Sequence, residues 1–274
     1  FKNVIVDWDW EKSRIADLVK VINKDSANSW FDLEYISVDK VDASKAKLTS
    51  LTAVDPVTYA WGRDGGKDYS LSNRLVENVA PNVLRVYPNN PASISAMNVG
   101  DTFIIRYYTY EGHTFPCFSN KDFTIDNVTI YSGIGHGFSM YKDMENWQII
   151  NTTIGKRPGY EITHPISTAT DGIHIGQQKG HYRIENCSIS YQGDDGINLH
   201  ENFSQGIRYL KDDPYTIIAT RADWSNPIDE GDIIEFRNPD LSYTGFRAKV
   251  VSREYLDSEK SIKVTFDRKV PSNL

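Results

Sequence analysis

The chain has little that would suit a membrane, a nucleic acid or a disulfide framework. No apolar run approaches the ~20 residues that cross a bilayer, so no membrane partner is expected. Basic residues are in the minority, with 30 Lys and Arg against 37 Asp and Glu and a formal net charge of −7 over 274 residues. That balance argues against a nucleic-acid partner, which selects a basic face. Two cysteines, Cys117 and Cys187, do not make a disulfide framework. Cys187 falls at a core position of the repeat described below, where a buried free thiol is expected. No secretory leader is visible. Aromatic residues are plentiful by contrast, at 12%. Such rings fill cores more often than they stack on sugars.

An internal repeat organises the middle of the chain. Its copies begin at Phe123, Trp147 and Tyr182 and share the order aromatic, x, Ile, x, Asn, small, Thr/Ser, Ile. The first two copies are 24 residues apart and the next two are 35 apart. A period near 24 with short β-rich segments suits one coil of a right-handed parallel β-helix. Successive coils then lie about 4.8 Å apart and equivalent positions stack in columns. The Ile columns should fill the core. The Asn column (Asn127, Asn151, Asn186) is expected to be an internal ladder, which would exclude these N-x-[ST] sites from glycosylation. A fourth copy begins part-way through, with Phe1-Lys2-Asn3-Val4 matching Ile125-Asp126-Asn127-Val128. Because residue 1 enters inside a coil, the chain is expected to be an excerpt of a longer protein.

The repeat is interrupted. Residues 1–11 form the first coil, and 12–118 are expected to be an inserted β-barrel-like domain. Strand signals lie at 31–38, 83–87 and 102–110, with a short helix possible near 70–79. Residues 119–204 are the coils that carry the site. Residues 205–274 should be a second, incomplete barrel-like domain. Its segment Gly231-Asp232-Ile233-Ile234-Glu235-Phe236-Arg237 echoes Gly100-Asp101-Thr102-Phe103-Ile104-Ile105-Arg106. The fold class is thus all-β. A loop around Lys156 to Glu161 accounts for the longer second coil and is placed to wall a cleft.

One further column carries chemistry. His136-Gly137, Asp171-Gly172 and Asp195-Gly196 recur at the spacings of the Asn column, which fixes the register independently. Strand alternation sends Ile173, Ile175, Ile197 and Leu199 inward and His174 and Asn198 outward. Asp171 and Asp195 then stack at a bend, and Asp194 projects to another side. Asp-Gly is a common turn pair, which explains Asp171-Gly172 alone. It explains the Asp194-Asp195 pair less well, since stacked carboxylates repel. A glycosidase needs one carboxylic acid for the leaving oxygen and one carboxylate to activate water or attack. Crowding raises the pKa of one member, so both forms coexist near neutral pH. Candidate catalytic residues are Asp171, Asp194 and Asp195. His136, His174, Asn198 and His200 are candidates for substrate contact, with Arg157 reaching in from the long loop. No metal or cofactor is expected, although Asp clusters also bind Ca²⁺.

Residues 119–204 resemble glycoside hydrolase family 110. The likeness rests on Thr170-Asp171-Gly172-Ile173-His174-Ile175 and Asp194-Asp195-Gly196-Ile197-Asn198-Leu199-His200. The resemblance implies an inverting exo-α-1,3-galactosidase on a β-helix with inserted barrels. It implies Asp194 as general acid, with Asp171 and Asp195 holding the water. It also implies a glycan partner ending in galactose and a secreted, periplasmic or cell-surface location; a homo-oligomer is possible. Polygalacturonases have a similar three-aspartate layout, but carry Gly-His-Gly after the aspartate pair. Here Gly135-His136-Gly137 precedes it, which disfavours that alternative. A non-catalytic β-helix adhesin or glycan-binding module is the other alternative, and it has no need of three aspartates.

Overall fold

The computed structural model describes residues 1–45, 48–62, 64–71, 73–200, 206–220, 228–256 and 260–272. The chain is nearly all β. Among the described residues the helical pieces are Ala92–Ala96 and a 3-10 turn at Ala43–Lys45. Two compact units divide it, Phe1–His200 and Glu201–Leu274. The boundary expected at residue 204 lies outside the described residues.

Two sheets of the first unit are wholly parallel. In one, Lys2–Val6, Thr124–Ile130, Met144–Ile150 and Gln178–Glu185 lie side by side, with Thr153–Ile154 and Ser188–Ile189 continuing the ladder. Val4 pairs with Val128, Ile125 with Ile149 and Ile149 with Ile184, which is the register of the sequence repeat. The second sheet runs His113–Phe118, His136–Tyr141, Ile173–Gly176, Ile197–His200. Ile125, Ile149 and Ile154 of the first sheet join Phe138, Met140, Ile173 and Ile175 of the second in one buried core. Ile197 and Leu199 continue the inward columns but are 48% and 56% exposed, because their strand is the edge of its sheet. Both cysteines are free; Cys117 is buried, whereas Cys187, beside an edge strand, is only partly so.

Three features differ from expectation. His113–Phe118 falls in the stretch read as insertion, yet it pairs in parallel with His136–Tyr141. Phe115 stacks on Phe138 at 5.1 Å, which seats it in the stack without the Asn-column motif. Residues 73–80 form a strand rather than a helix, because Asn73–Ala80 pairs with Val83–Pro88 across a tight turn. Cross-strand pairing within this hairpin overrides the weak preference for helix. The Asn column is exposed, not internal. Asn3, Asn127, Asn151 and Asn186 all have φ between 53° and 59°. They occupy the left-handed region that Asn tolerates better than most residues. Their amides link neighbouring coils from outside: Asn127 donates to Asn3 at 2.7 Å, Asn186 to Asn151 at 2.7 Å and Asn151 to Asp126 at 2.9 Å. Burial therefore gives no ground for excluding glycosylation there.

The inserted residues form a seven-stranded antiparallel sheet, ordered Tyr69–Ser70, Ser50–Ala53, Thr102–Arg106, Ala16–Asp25, Trp30–Tyr35, Val83–Pro88, Asn73–Ala80. Tyr69 near one edge and Val76 at the other pack on the same core, so the sheet curls around it. A separate cluster joins this sheet to the parallel stack through Leu18, Val54 and Ile104 against Ile166 and Ala169. The second unit is a five-stranded antiparallel sheet with Ile217, Phe236, Val250 and Val264 in its core. The sequence echo is a structural one. Gly100 and Gly231 have φ of 99° and 98°. Asp101 and Asp232 each accept the backbone N–H three residues earlier at 2.8 Å.

Candidate active site

The second parallel sheet presents its outward columns as a site. His136 pairs with His113 below it, and the pairing of Phe138 with Ile173 and of Ile173 with Ile197 carries that column on through Asp171 and Asp195. Glycine follows His136, Asp171 and Asp195, but not for a left-handed backbone. A Cβ on Gly137 would lie 2.5 Å from the Gly172 carbonyl oxygen, and one on Gly172 would lie 2.7 Å from that of Gly196. The backbones of neighbouring rungs of the sheet touch at this bend, and the close approach brings the acidic side chains together. Asp171, Asp194 and Asp195 each offer an oxygen within 4.8 Å of the other two.

Their surroundings differ. Asp171 is 2% exposed, whereas Asp194 and Asp195 are exposed. Asp171 Oδ2 is hydrogen-bonded to His174 Nδ1, and its Oδ1 accepts the Asp195 N–H at 3.3 Å. Burial pushes the Asp171 carboxyl above the usual range, against the hydrogen bond and field of His174. Asp195 accepts from Asn198 Nδ2 at 2.9 Å. Asp194 accepts from the Tyr110 hydroxyl at 3.1 Å. Burial, then that hydrogen bond, pushes the Tyr110 phenol up.

An imidazole cluster backs the carboxylates. His113 stacks on His136 at 5.1 Å, and His136 lies 4.4 Å from His174. His136 Nδ1 is 3.0 Å from Thr170 Oγ1 and 3.4 Å from Asp171 Oδ2. Burial, reinforced by His174 and His113, pushes the His136 pKa down to about 3. The ring is neutral at physiological pH, so its contact with Asp171 is dipolar and not an ion pair. The Tyr141 hydroxyl lies 2.7 Å from His174 Nε2 and 3.1 Å from His200 Nε2. Tyr141 reaches His200 by crossing over Gly176, where a Cβ would meet its ring at 3.1 Å. With Asp171 on Nδ1, His174 is held from both ends and its ring orientation is fixed. His136, Asp171 and His174 have the mutual spacing of metal ligands, and so do Asp171, Asp194 and Asp195.

The chain is similar to a galactosidase. It is 24% identical over 226 residues, 76% of its own length, to alpha-1,3-galactosidase B of Bacteroides thetaiotaomicron. It spans about a third of that protein, 35% of its length. No protein-family model matches the chain.

The fold brings His136, His174 and Asn198 to the aspartates, and His200 to His174. It takes Arg157 elsewhere. That side chain pairs with Asp7 at 2.9 Å and lies over the Tyr160 ring. The long loop folds onto the turn after Lys2–Val6, so an acidic partner there intercepts it. Three contributors escaped sequence reasoning. Tyr141 sits at an outward position of His136–Tyr141, the strand beside that of His174, and the alternation that exposed His174 points to it as well. Tyr110 and Arg106 come from the insertion and have no such signal. Arg106 Nη1 donates to the Ala169 and Gly193 carbonyls at 2.9 and 2.6 Å.

Proposed function

We propose that this protein is a glycoside hydrolase that releases terminal α-1,3-linked galactose with inversion. In this reading the two parallel sheets are faces of a right-handed parallel β-helix, and the carboxylates stand on its outer wall. The observation that carries the proposal is the convergence of Asp171, Asp194 and Asp195, with oxygens within 4.8 Å, on adjacent coils. Burial, with a smaller push from the Asp194 charge, raises the Asp171 carboxyl, so the three side chains are not electrostatically equivalent. Glycoside hydrolysis uses that asymmetry: one carboxyl protonates the leaving oxygen, and another activates water or attacks. Oxygens within 4.8 Å are closer than the roughly 6.5–9.5 Å usual between the acid and base of an inverting enzyme, so inversion here rests on the family resemblance and not on this spacing. Asp194 is the acid. It stands outside the Asp171–Asp195 column and is exposed to an incoming glycosidic oxygen. Asp171 and Asp195 hold the water, and a carboxyl lifted by burial, as in Asp171, is the better base.

His174 keeps Asp171 oriented, and Asn198 does the same for Asp195. His200 and the outer edge of the histidine cluster offer donors and acceptors to sugar hydroxyls. The likeness to a protein named as an alpha-1,3-galactosidase supports the substrate class. The test is hydrolysis of terminal α-galactosides followed by NMR of the first-formed sugar. The expected product is β-galactose, and α-galactose would overturn inversion. Asp194→Asn should abolish turnover of unactivated glycosides and leave the circular dichroism spectrum unchanged. Activity retained within a few-fold would remove Asp194 from the acid role.

A further inference from the structure

Arg106 ends the strand Thr102–Arg106 of the inserted sheet. Its Nη1 donates to the Gly193 carbonyl at 2.6 Å and the Ala169 carbonyl at 2.9 Å, and its Nε donates to Ser50 Oγ at 3.0 Å. Gly193 immediately precedes Asp194, and Ala169 stands two residues before Asp171. One guanidinium therefore joins the two bends that present the acid and the buried base.

The bend is shaped to receive it. A Cβ on Gly193 would lie 2.8 Å from Arg106 Nη1 and nearer still to the Ala169 oxygen. On its other side Gly193 donates its N–H to the Thr168 and Thr170 carbonyls at 2.8 and 3.1 Å. Arg106 is itself half-buried; desolvation pulls its pKa down, opposed first by attraction to Asp194 and then by Asp68. Tyr110, four residues later, donates to Asp194 Oδ2 at 3.1 Å. The inserted sheet thus touches the backbone before Asp194 through Arg106, and the connection from that sheet to His113–Phe118 touches the Asp194 carboxyl through Tyr110.

We propose that Arg106 and Tyr110 are positioning residues that aim Asp194 at the leaving-group oxygen, so that the inserted sheet completes the acid half of the site. The proposal rests on the glycosidase reading, in which Asp194 is the acid. A planar fork holds two carbonyls and a hydroxyl in fixed directions; a lysine ammonium has as many donors for them but no rigid fork to fix those directions.

The test separates aiming from general damage by the leaving group. An activated aryl group such as 2,4-dinitrophenol departs with little proton donation, whereas a sugar alcohol requires it. Arg106→Lys and Tyr110→Phe are assayed in the full chain on 2,4-dinitrophenyl α-galactoside and on galactosyl-α-1,3-galactose. Acid catalysis contributes roughly 10²–10⁴-fold, so a misaimed acid should slow the disaccharide at least about tenfold more than the aryl glycoside. The loss should fall on kcat with little change in KM. Equal slowing on both substrates would reduce Arg106 to a structural role and overturn the proposal. If the wild-type protein hydrolyses neither compound, the glycosidase reading fails, and hydrogen exchange at the Gly193 amide tests the clamp instead. Exchange should be faster in Arg106→Lys at unchanged Tm; unaltered exchange would refute the clamp. Should Arg106→Lys not fold, Tyr110→Phe on the two glycosides decides the matter alone.

Discussion

Gly172 and Gly196 occupy one column and follow aspartates of the same site, yet the structure gives them opposite tolerances. Neither has a positive φ, so the cost of adding a methyl group is steric and not conformational. At Gly172 the new Cβ would sit 2.7 Å from the Gly196 carbonyl oxygen and closer still to Ile189 Cγ2. A carbon–oxygen contact wants about 0.5 Å more, and the oxygen belongs to the backbone leading into the neighbouring strand, so the two rungs must part. Overpacking of this kind costs about 1–3 kcal/mol. At roughly 2–4 °C per kcal/mol for a unit of this size, Gly172→Ala should lower Tm by about 2–12 °C. It should also impair turnover, since parting the rungs moves Asp195 away from Asp171. At Gly196 the nearest atom to a new Cβ is Gln192 Nε2 at 3.6 Å, an ordinary contact. Gly196→Ala should stay within about 0.5 kcal/mol of wild type. Urea and thermal melts of both variants, with hydrolysis rates alongside, give the comparison. Equal stability of the two variants would refute the claim that contact between rungs, and not turn conformation, selects glycine in this column.

Two further outcomes are expected. His136 has a folded-state pKa of about 3 against an ordinary value of 6.5, so the unfolded chain takes up a proton that the folded ring refuses. The stability it contributes is present above about pH 6.5 and is lost as pH falls towards the folded value, at up to ~1.4 kcal/mol per pH unit. Asp171, raised by burial, acts in the opposite sense and favours the folded state at low pH. His136→Gln should therefore flatten the acid side of a plot of urea midpoint against pH between 7 and 4; a slope equal to wild type would rule this out. Asn151 combines a φ of 53° with hydrogen bonds to Asp126 and Asn186. Asn151→Ala should cost about 2–3 kcal/mol, whereas Asn151→Gly should lose only the hydrogen bonds, about 1 kcal/mol. Urea melts in which alanine and glycine behave alike would exclude a conformational role.

What the sequence determined by itself was periodic. Spacings of 24 and 35 residues fixed which residues stack, and the pairings of Ile125 with Ile149 and Ile173 with Ile197 follow them. Side-chain alternation then sorts the columns, and it puts His174 and Asn198 on the aspartates' side of the strands. Both inferences work because a ladder repeats its geometry at every rung. Periodicity does not say which surface of a bend faces water, so the Asn column was misplaced indoors. It is also silent about chain that does not repeat. The strand at 73–80 depends on its partner at 83–88, and Arg157 depends on an aspartate that lies 150 residues away in sequence. Arg106 and Tyr110 reach Asp194 only because a curled sheet packs on the stack through Ile104, Ile166 and Ala169. That packing is non-local, and it decides which groups accompany the aspartates.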